Sequence, residues 1–333
     1  MMADANNDTL AIYEGRVGPA APSAYREKVQ QLLRASVAPN TRRAYASRLK
    51  HFFGWCEAEG IVPPFPASPE TVAAYVASLA EAETACATVD QTMAALAAAH
   101  RAGGLTSPTE SLLVRKTIKG YRREHGTAQK KKDAATLEVV KMLLAARARG
   151  SSPKDVRDAA IIALGFAGAF RRSELSALDA EDLRWTLRDG EEILLITVRR
   201  SKTDQEGQGL VKAIFPGREA DSSPTSLLKR WIELAGIQEG ALFREILKGG
   251  RITGERLSPQ SMRLVVKRAA AAAGLSLDLS AHSLRSGFVT TAIRQGKTER
   301  SIMNQTGHRS AQTLREYFQR EDAIEDNAAR DLM

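Results

Sequence analysis

Apolar residues recur at helical spacing through most of the chain, and only one stretch switches to the alternation of strands. Tyr45, Leu49, Phe52, Phe53 and Cys56 form one stripe in Thr41–Glu59, which predicts a helix. Further helical patterns follow at Pro69–Glu81, Thr88–Ala102 and Ser111–His125. The third of the four carries Val89, Met93, Leu96 and His100 on one face. The last is expected to turn Leu112, Ile118 and Tyr121 inward and Arg115, Lys116, Lys119, Arg122 and Arg123 outward. Four helices joined by short connections predict a small bundle.

Residues 126–133, with three consecutive lysines (Lys130, Lys131, Lys132) and no apolar period, interrupt this pattern and read as a basic linker. Beyond it, Thr136–Gly150 is helical, and Ser152, Pro153 and Asp155 give a strong helix-start signal. The apolar run Ala159–Phe170 follows. Strand-like residues occupy Glu192–Val198 and Leu210–Phe215, so the polar, glycine-containing stretch Arg199–Gly209 is expected at a hairpin tip. Helical patterns resume at Pro224–Ala235, after Ser223, and at Ser258–Gly274, Ala281–Gln295, Thr298–Thr306 and Ser310–Phe318. The expected class is mainly α with a small antiparallel sheet (α+β). The expected division is a disordered arm over 1–22, a helical domain over 23–125, the linker, and a second domain over 134–333 ending in a C-terminal helix.

Composition removes several functions. The 333 residues are 43% hydrophobic and 26% charged, enough for two cores and unlike a disordered chain. The longest non-polar run has twelve residues, against roughly 20 for a bilayer span. The N-terminus lacks the basic start and apolar core of a secretory leader. Two cysteines, Cys56 and Cys86, are too few for a disulfide framework or a four-cysteine zinc site, which suits a reducing, cytoplasmic setting. No HExxH is present, and Thr291 stands where a P-loop ending at Gly296-Lys297-Thr298 needs its first glycine. No metal or other cofactor is expected. The net charge of +9 is shared, +4 through Asp133 and +5 beyond it, so a long polyanion touching both parts is a candidate partner. Residues 28–56 contain no acid at all, while Arg42, Arg43 and Lys50 lie off the apolar stripe there.

Four short signals lie in the second half. Arg171 and Glu174 are three apart after the apolar run; His282 and Arg285 share one helix face; Gly307-His308 marks a helix end; Tyr317 follows nine residues later. Each alone fits a helix-end ion pair, a surface pair or a core tyrosine. Together, in this order and spacing, they resemble the tyrosine recombinase (phage integrase) family, and within it the Cre-like branch with a helical core-binding domain. The resemblance spans roughly residues 25–320. It implies an active site of Arg171, Lys202, His282, Arg285, His308 and the nucleophile Tyr317, with Glu174 as supporting carboxylate. Arg172 stands where the family usually has an apolar residue, and the three-residue step to Glu174 selects Arg171. His308 stands where the Cre-like branch can carry Trp. Arg199, Arg200 and Lys212 rival Lys202, but strand alternation and the turn residues leave Lys202 freest to reach a phosphate.

The chemistry suits these residue types. Two arginines offer forked, permanent positive charge to the non-bridging oxygens of a phosphodiester under attack. Tyr317 needs its proton removed, with His282 nearest to hand in the motif, and Lys202 would protonate the departing 5′ oxygen. A site-specific DNA recombinase is therefore expected, without metal or ATP. It would act on double-stranded DNA with inverted-repeat sites, as a dimer on one site and a tetramer in the synapse. Arg42, Arg43, Lys50, Lys116, Lys119, Arg122, Arg123 and Lys130–Lys132 are the candidate DNA contacts, with the two domains closing as a clamp. The alternatives are a type IB topoisomerase-like enzyme that relaxes one duplex and a non-catalytic DNA-binding regulator. The residues after Tyr317 include Phe318, Ile324, Ala328 and Leu332, a weak amphipathic pattern. In the family such a tail docks on a neighbouring protomer.

Overall fold

Serine caps start many of the helices in the computed structural model, which describes residues 22–128, 132–200, 209–308, 310, 312, 314, 315, 317 and 318. The chain divides into two units, 1–130 and 131–333. Of the expected N-terminal arm only Pro22 lies among the described residues.

The first unit contains α1 (Ser23–Ala35), α2 (Pro39–Ala58), α3 (Pro69–Glu81), α4 (Cys86–Ala102) and α5 (Leu112–His125). Ser68 and Ser111 accept hydrogen bonds from the backbone of Thr71 and Val114 at 3.1 and 3.2 Å, and so fix the starts of α3 and α5. The core joins Leu49, Phe52 and Cys56 of α2 to Val72, Tyr75 and Val76 of α3, Val89 and Leu96 of α4, and Val114 and Tyr121 of α5. His100 is buried in that core as a neutral ring. Nε2 accepts from the Ala67 N–H at 3.1 Å, so Nδ1 donates to the Leu96 carbonyl at 2.8 Å.

Two expectations for this unit change. Leu112 is 63% exposed, and Val114 holds the inward position instead. The face is set by Val114, Ile118 and Tyr121, at steps of four and three, and Leu112 lies two residues out of that phase. α1 was not expected; none of its residues is buried, so it carries no apolar stripe committed to this core.

The second unit begins with α6 (Leu137–Ala148) and α7 (Pro153–Ala167), with Ser152 capping α7 through the Asp155 N–H at 3.2 Å. Val156 through Gly165 are all buried, so α7 is the central helix of this domain. After the short α8 (Arg172–Ala177) come β1 (Leu183–Arg188), β2 (Glu191–Val198) and β3 (Leu210–Ile214), a three-stranded antiparallel sheet in that order. Val198 pairs with Leu210, so β2 and β3 are antiparallel neighbours on either side of the stretch expected at a hairpin tip, of which residues 201–208 lie outside the described residues. β1 escaped the pattern reading because Arg184 and Arg188 dilute its alternation. A second sheet of β4 (Arg244–Ile246) and β5 (Ile252–Arg256) is too short for periodicity to reveal.

The domain continues with α9 (Pro224–Ala235), α10 (Pro259–Ala272), α11 (Ala281–Arg294) and α12 (Glu299–Thr306). Gly287 lets α11 lie against the backbone that enters the domain, because a Cβ there would sit 1.7 Å from the Ala135 carbonyl oxygen. The Ala135 N–H in turn donates to the Ser283 carbonyl at 2.9 Å. The fold is mainly helical with small antiparallel sheets, and among the described residues no helix is long and apolar enough to cross a membrane.

Candidate active site

The C-terminal end of α7 leaves carbonyls that the helix itself cannot satisfy. Side chains from three other elements take three consecutive ones. Gln305 of α12 donates to Ala167 at 2.8 Å, Lys212 of β3 to Gly168 at 2.6 Å, and Arg285 of α11 to Ala169 at 2.8 Å. Ala169 has φ of +45°, an uncommon conformation for a residue with a Cβ, so the turn needs such support. Arg171 leaves this turn as the N-cap residue of α8.

Glu174, 3% exposed, holds Arg171 from below. One carboxylate oxygen accepts from the Arg171 guanidinium at 2.7 Å and the other from its backbone N–H at 2.9 Å. The neighbouring Arg172 is exposed and outside this arrangement. The three-residue step read from the sequence thus corresponds to a geometric pair.

Arg285 is 2% exposed, and one of its nitrogens, Nη1, also reaches the Thr306 carbonyl at 2.7 Å. Nη2 donates to His308 Nε2 at 2.8 Å. Among the described residues, three of its five N–H donors serve protein acceptors, two from Nη1 and one from Nη2. A planar guanidinium held in this way suits the oxygens of a phosphate. Burial, and then the Arg171 charge, lower its pKa to about 10, which leaves it a cation at neutral pH.

His308 follows Gly307, whose left-handed backbone (φ 68°) ends α12. Since Nε2 accepts from Arg285, Nδ1 carries the hydrogen and donates to the Thr306 hydroxyl at 2.9 Å. Thr306 passes its own hydrogen to the Ile302 carbonyl at 2.8 Å. Burial first, then the Arg285 and Arg171 charges, lower the His308 pKa to about 4, so the ring is neutral at physiological pH.

His282 is exposed at the start of α11 and within electrostatic reach of His308. Tyr317 is half-buried and helical, packed with Phe318 against Val289, Ala292, Ile302 and Leu314. Its charge, if ionised, would act on Arg285. The structure thus gathers Arg171, Glu174, His282, Arg285, His308 and Tyr317 around one point of the second unit. Lys202 lies outside the described residues.

Of its rivals, Arg200 is exposed at the end of the described hairpin. Arg199 is committed to Asp179 and, at 2.9 Å, to Asp182. Lys212 is 1% exposed and faces Glu174 at 3.8 Å and the Phe170 ring at 4.5 Å. Sequence reading passed over it as a spare cation. The signal was present: alternation along β3 puts Lys212 on the same face as Leu210 and Ile214.

In the first unit, Arg43, Lys50, Lys116, Lys119, Arg122 and Arg123 are exposed, and Arg42 is half-buried. Arg122 pairs with Asp90 at 2.6 Å, and Arg43 donates to Asn40 at 2.6 Å. Within the second unit Lys132, expected as a DNA contact, pairs with Asp278. Both groups are half-exposed, so the pair is weak. Lys130 and Lys131 lie outside the described residues.

The model of the phage integrase family matches residues 135–323, more than half of the chain. The integrase/recombinase xerD homolog of Selenomonas ruminantium is 36% identical over 305 residues, which cover 90% of this chain and 87% of that protein. The recombinase cre of Escherichia phage P1 is 25% identical over 307 residues, 87% of each chain. Among solved structures, XerH site-specific recombinase bound to palindromic difH substrate superposes with a TM-score of 0.65 at 20% identity, covering 93% of this chain and 85% of that one. A lambda integrase dimer bound to a core site gives a TM-score of 0.58 at 17% identity, covering 91% and 78%. These two likenesses are of fold.

Proposed function

We propose, starting from the fact that this chain belongs to the phage integrase family of tyrosine recombinases, that it cuts and rejoins DNA through Tyr317 at the site just described. The observation that carries this reading is the convergence of two guanidiniums, Arg171 and Arg285, on one locus with Tyr317 and the neutral His308. A phosphodiester seated there would offer its non-bridging oxygens to the guanidiniums of Arg285 and Arg171, which stabilise the negative charge that grows during attack. His308, fixed by Arg285 and Thr306, lies at the rim of the same locus.

The Tyr317 oxygen attacks phosphorus and gives its proton to His282. The bond to the 5′ oxygen breaks, and Lys202 supplies the proton that oxygen needs. The 3′-phosphotyrosyl link conserves the bond, so the 5′-hydroxyl of a second strand can reverse the step without ATP or a metal. In this reading the protein acts in the cytoplasm on double-stranded DNA carrying inverted-repeat sites. Two copies bind one site and four form the synapse. XerH, whose solved complexes hold difH DNA, and lambda integrase, solved as a tetramer on a Holliday junction, support that assembly by likeness. The candidate contacts Arg42, Arg43, Lys50, Lys116, Lys119, Arg122 and Arg123 would engage phosphates and set register rather than read bases.

Footprinting on DNA flanking the coding sequence in its source genome should reveal an inverted repeat bound by two copies. On a nicked duplex carrying that repeat, the chain should form a covalent adduct that Tyr317→Phe abolishes while binding persists. Adducts that survive in Tyr317→Phe, or map to Tyr45 or Tyr121, would refute the nucleophile. Relaxation of supercoiled DNA with no strand exchange between two sites would instead favour a topoisomerase-like role.

A further inference from the structure

The proposed chemistry gives no task to Lys212, a buried cation beside the site. Lys212 is 1% exposed in the middle of β3, between residues whose side chains are apolar. A buried ammonium is costly to desolvate, and an apolar residue of like volume usually serves a core as well or better. Lys212 must be read from what it touches. Nζ donates to the Gly168 carbonyl at 2.6 Å, ahead of Arg171 in the chain, and stands 3.8 Å from Glu174 Oε2, which follows it. That same oxygen accepts the Arg171 backbone N–H at 2.9 Å. Lys212 therefore brackets the turn from which the Arg171 guanidinium projects. β3 pairs with β2 from Val198–Leu210 to Leu194–Ile214, so Lys212 also joins this turn to the β2–β3 ladder.

We propose that Lys212 is a positioning residue for Arg171: it fixes the Gly168–Phe170 turn and the Glu174 carboxylate together, and so holds the guanidinium on the phosphate. This rests on the proposed cleavage reaction, in which Arg171 touches the phosphate and Lys212 does not. The charged groups facing Lys212 are Glu174, which favours its ammonium form, and Arg285 and Arg171, which oppose it. With burial as the largest cause, its pKa falls from 10.5 to about 7. The grip on Glu174 is then strongest below neutrality and weakens as the ammonium loses its proton above it.

The test measures adduct formation by the full-length chain on the nicked inverted-repeat duplex. Lys212→Met should slow it by about 10- to 100-fold, the order expected when a reacting group is displaced by about 1 Å. Affinity for the same duplex should stay within about two-fold. In an Arg171→Ala background, Lys212→Met should cost less than about two-fold more, because a residue acting through Arg171 has nothing left to position. The ratio of wild-type to Lys212→Met rates should fall as pH rises through about 7. Should Lys212→Met fold poorly, Lys212→Gln keeps a neutral donor for Gly168 and is expected to be intermediate. A rate within two-fold of wild type, or a full additive cost on Arg171→Ala, would overturn the proposal while leaving the cleavage reading intact. Absence of any adduct from the wild-type chain would overturn both, and is seen before a variant is made.

Discussion

Arg285→Lys separates charge from shape at this site. Arginine and lysine are both cations, so electrostatic attraction for DNA should change little, and the salt dependence of binding should keep its slope. The protein-facing bonds are partly replaceable. An ammonium can reach one or both of the Ala169 and Thr306 carbonyls, which now accept from a single nitrogen at 2.8 and 2.7 Å. The bond to His308 Nε2, made while Nη1 serves two carbonyls, and the planar fork itself have no counterpart in lysine. Losing one net charge-assisted hydrogen bond in the transition state costs about 1.5–3 kcal/mol. At 1.4 kcal/mol per decade, that is roughly a 10- to 100-fold slower cleavage.

The pH dependence sharpens the test. Arg285, at about 10, keeps its proton across neutral pH. A lysine begins from a lower intrinsic pKa, and the same burial and the same Arg171 would bring it closer to neutrality. A lowered amine loses its charge as pH rises, so the Arg285→Lys defect should deepen between about pH 7 and 9 while wild type shows no such loss from Arg285. Single-turnover adduct formation on the nicked duplex, with affinity measured in parallel, provides the assay. A variant within about three-fold of wild-type rate at every pH would refute the forked-donor argument, since that is below the cost of one such bond.

Lys202→Ala should cleave ordinary DNA far more slowly, yet recover most of its rate when the 5′ bridging oxygen is replaced by sulfur, which leaves without a proton; equal slowness on both substrates would deny Lys202 the role of acid. Cleavage should survive chelation by EDTA, because Arg171 and Arg285 supply the charge stabilisation, and an absolute divalent-ion requirement in the cleavage step would overturn the two-arginine mechanism. A 134–333 fragment, which retains its own core, should bind the site more weakly and with a shallower salt slope than the full chain, since the phosphates neutralised by the first unit are lost. Identical affinity and slope would show that the basic faces of α2 and α5 are solvated surfaces only.

Local signals in the chain settled a good deal. The helix starts at Ser152 and Ser223 were legible because a serine directly followed by proline satisfies helix N–H groups from within a few residues. Gly307 announced its left-handed cap in the same way. The Arg171–Glu174 pair was legible as a spacing, because three helical residues bring both groups to one side.

Long-range contacts were beyond that reading. Leu112 looked inward until the phase of α5 was set by Val114 and Tyr121 packing on α3 and α4. β1 and the pair β4–β5 exist through partners across the sheet rather than through their own alternation. Above all, the Ala167, Gly168 and Ala169 carbonyls are met by Gln305, Lys212 and Arg285, from 44 to 138 residues away in the chain. Residue types able to do the chemistry, and their order along the chain, are properties of the primary structure. Which nitrogen of His308 carries its proton, which groups Arg285 holds and what Lys212 grips follow from tertiary contacts. Each depends on a buried acceptor supplied by a distant segment, and a buried polar group takes its state from the partner that satisfies it.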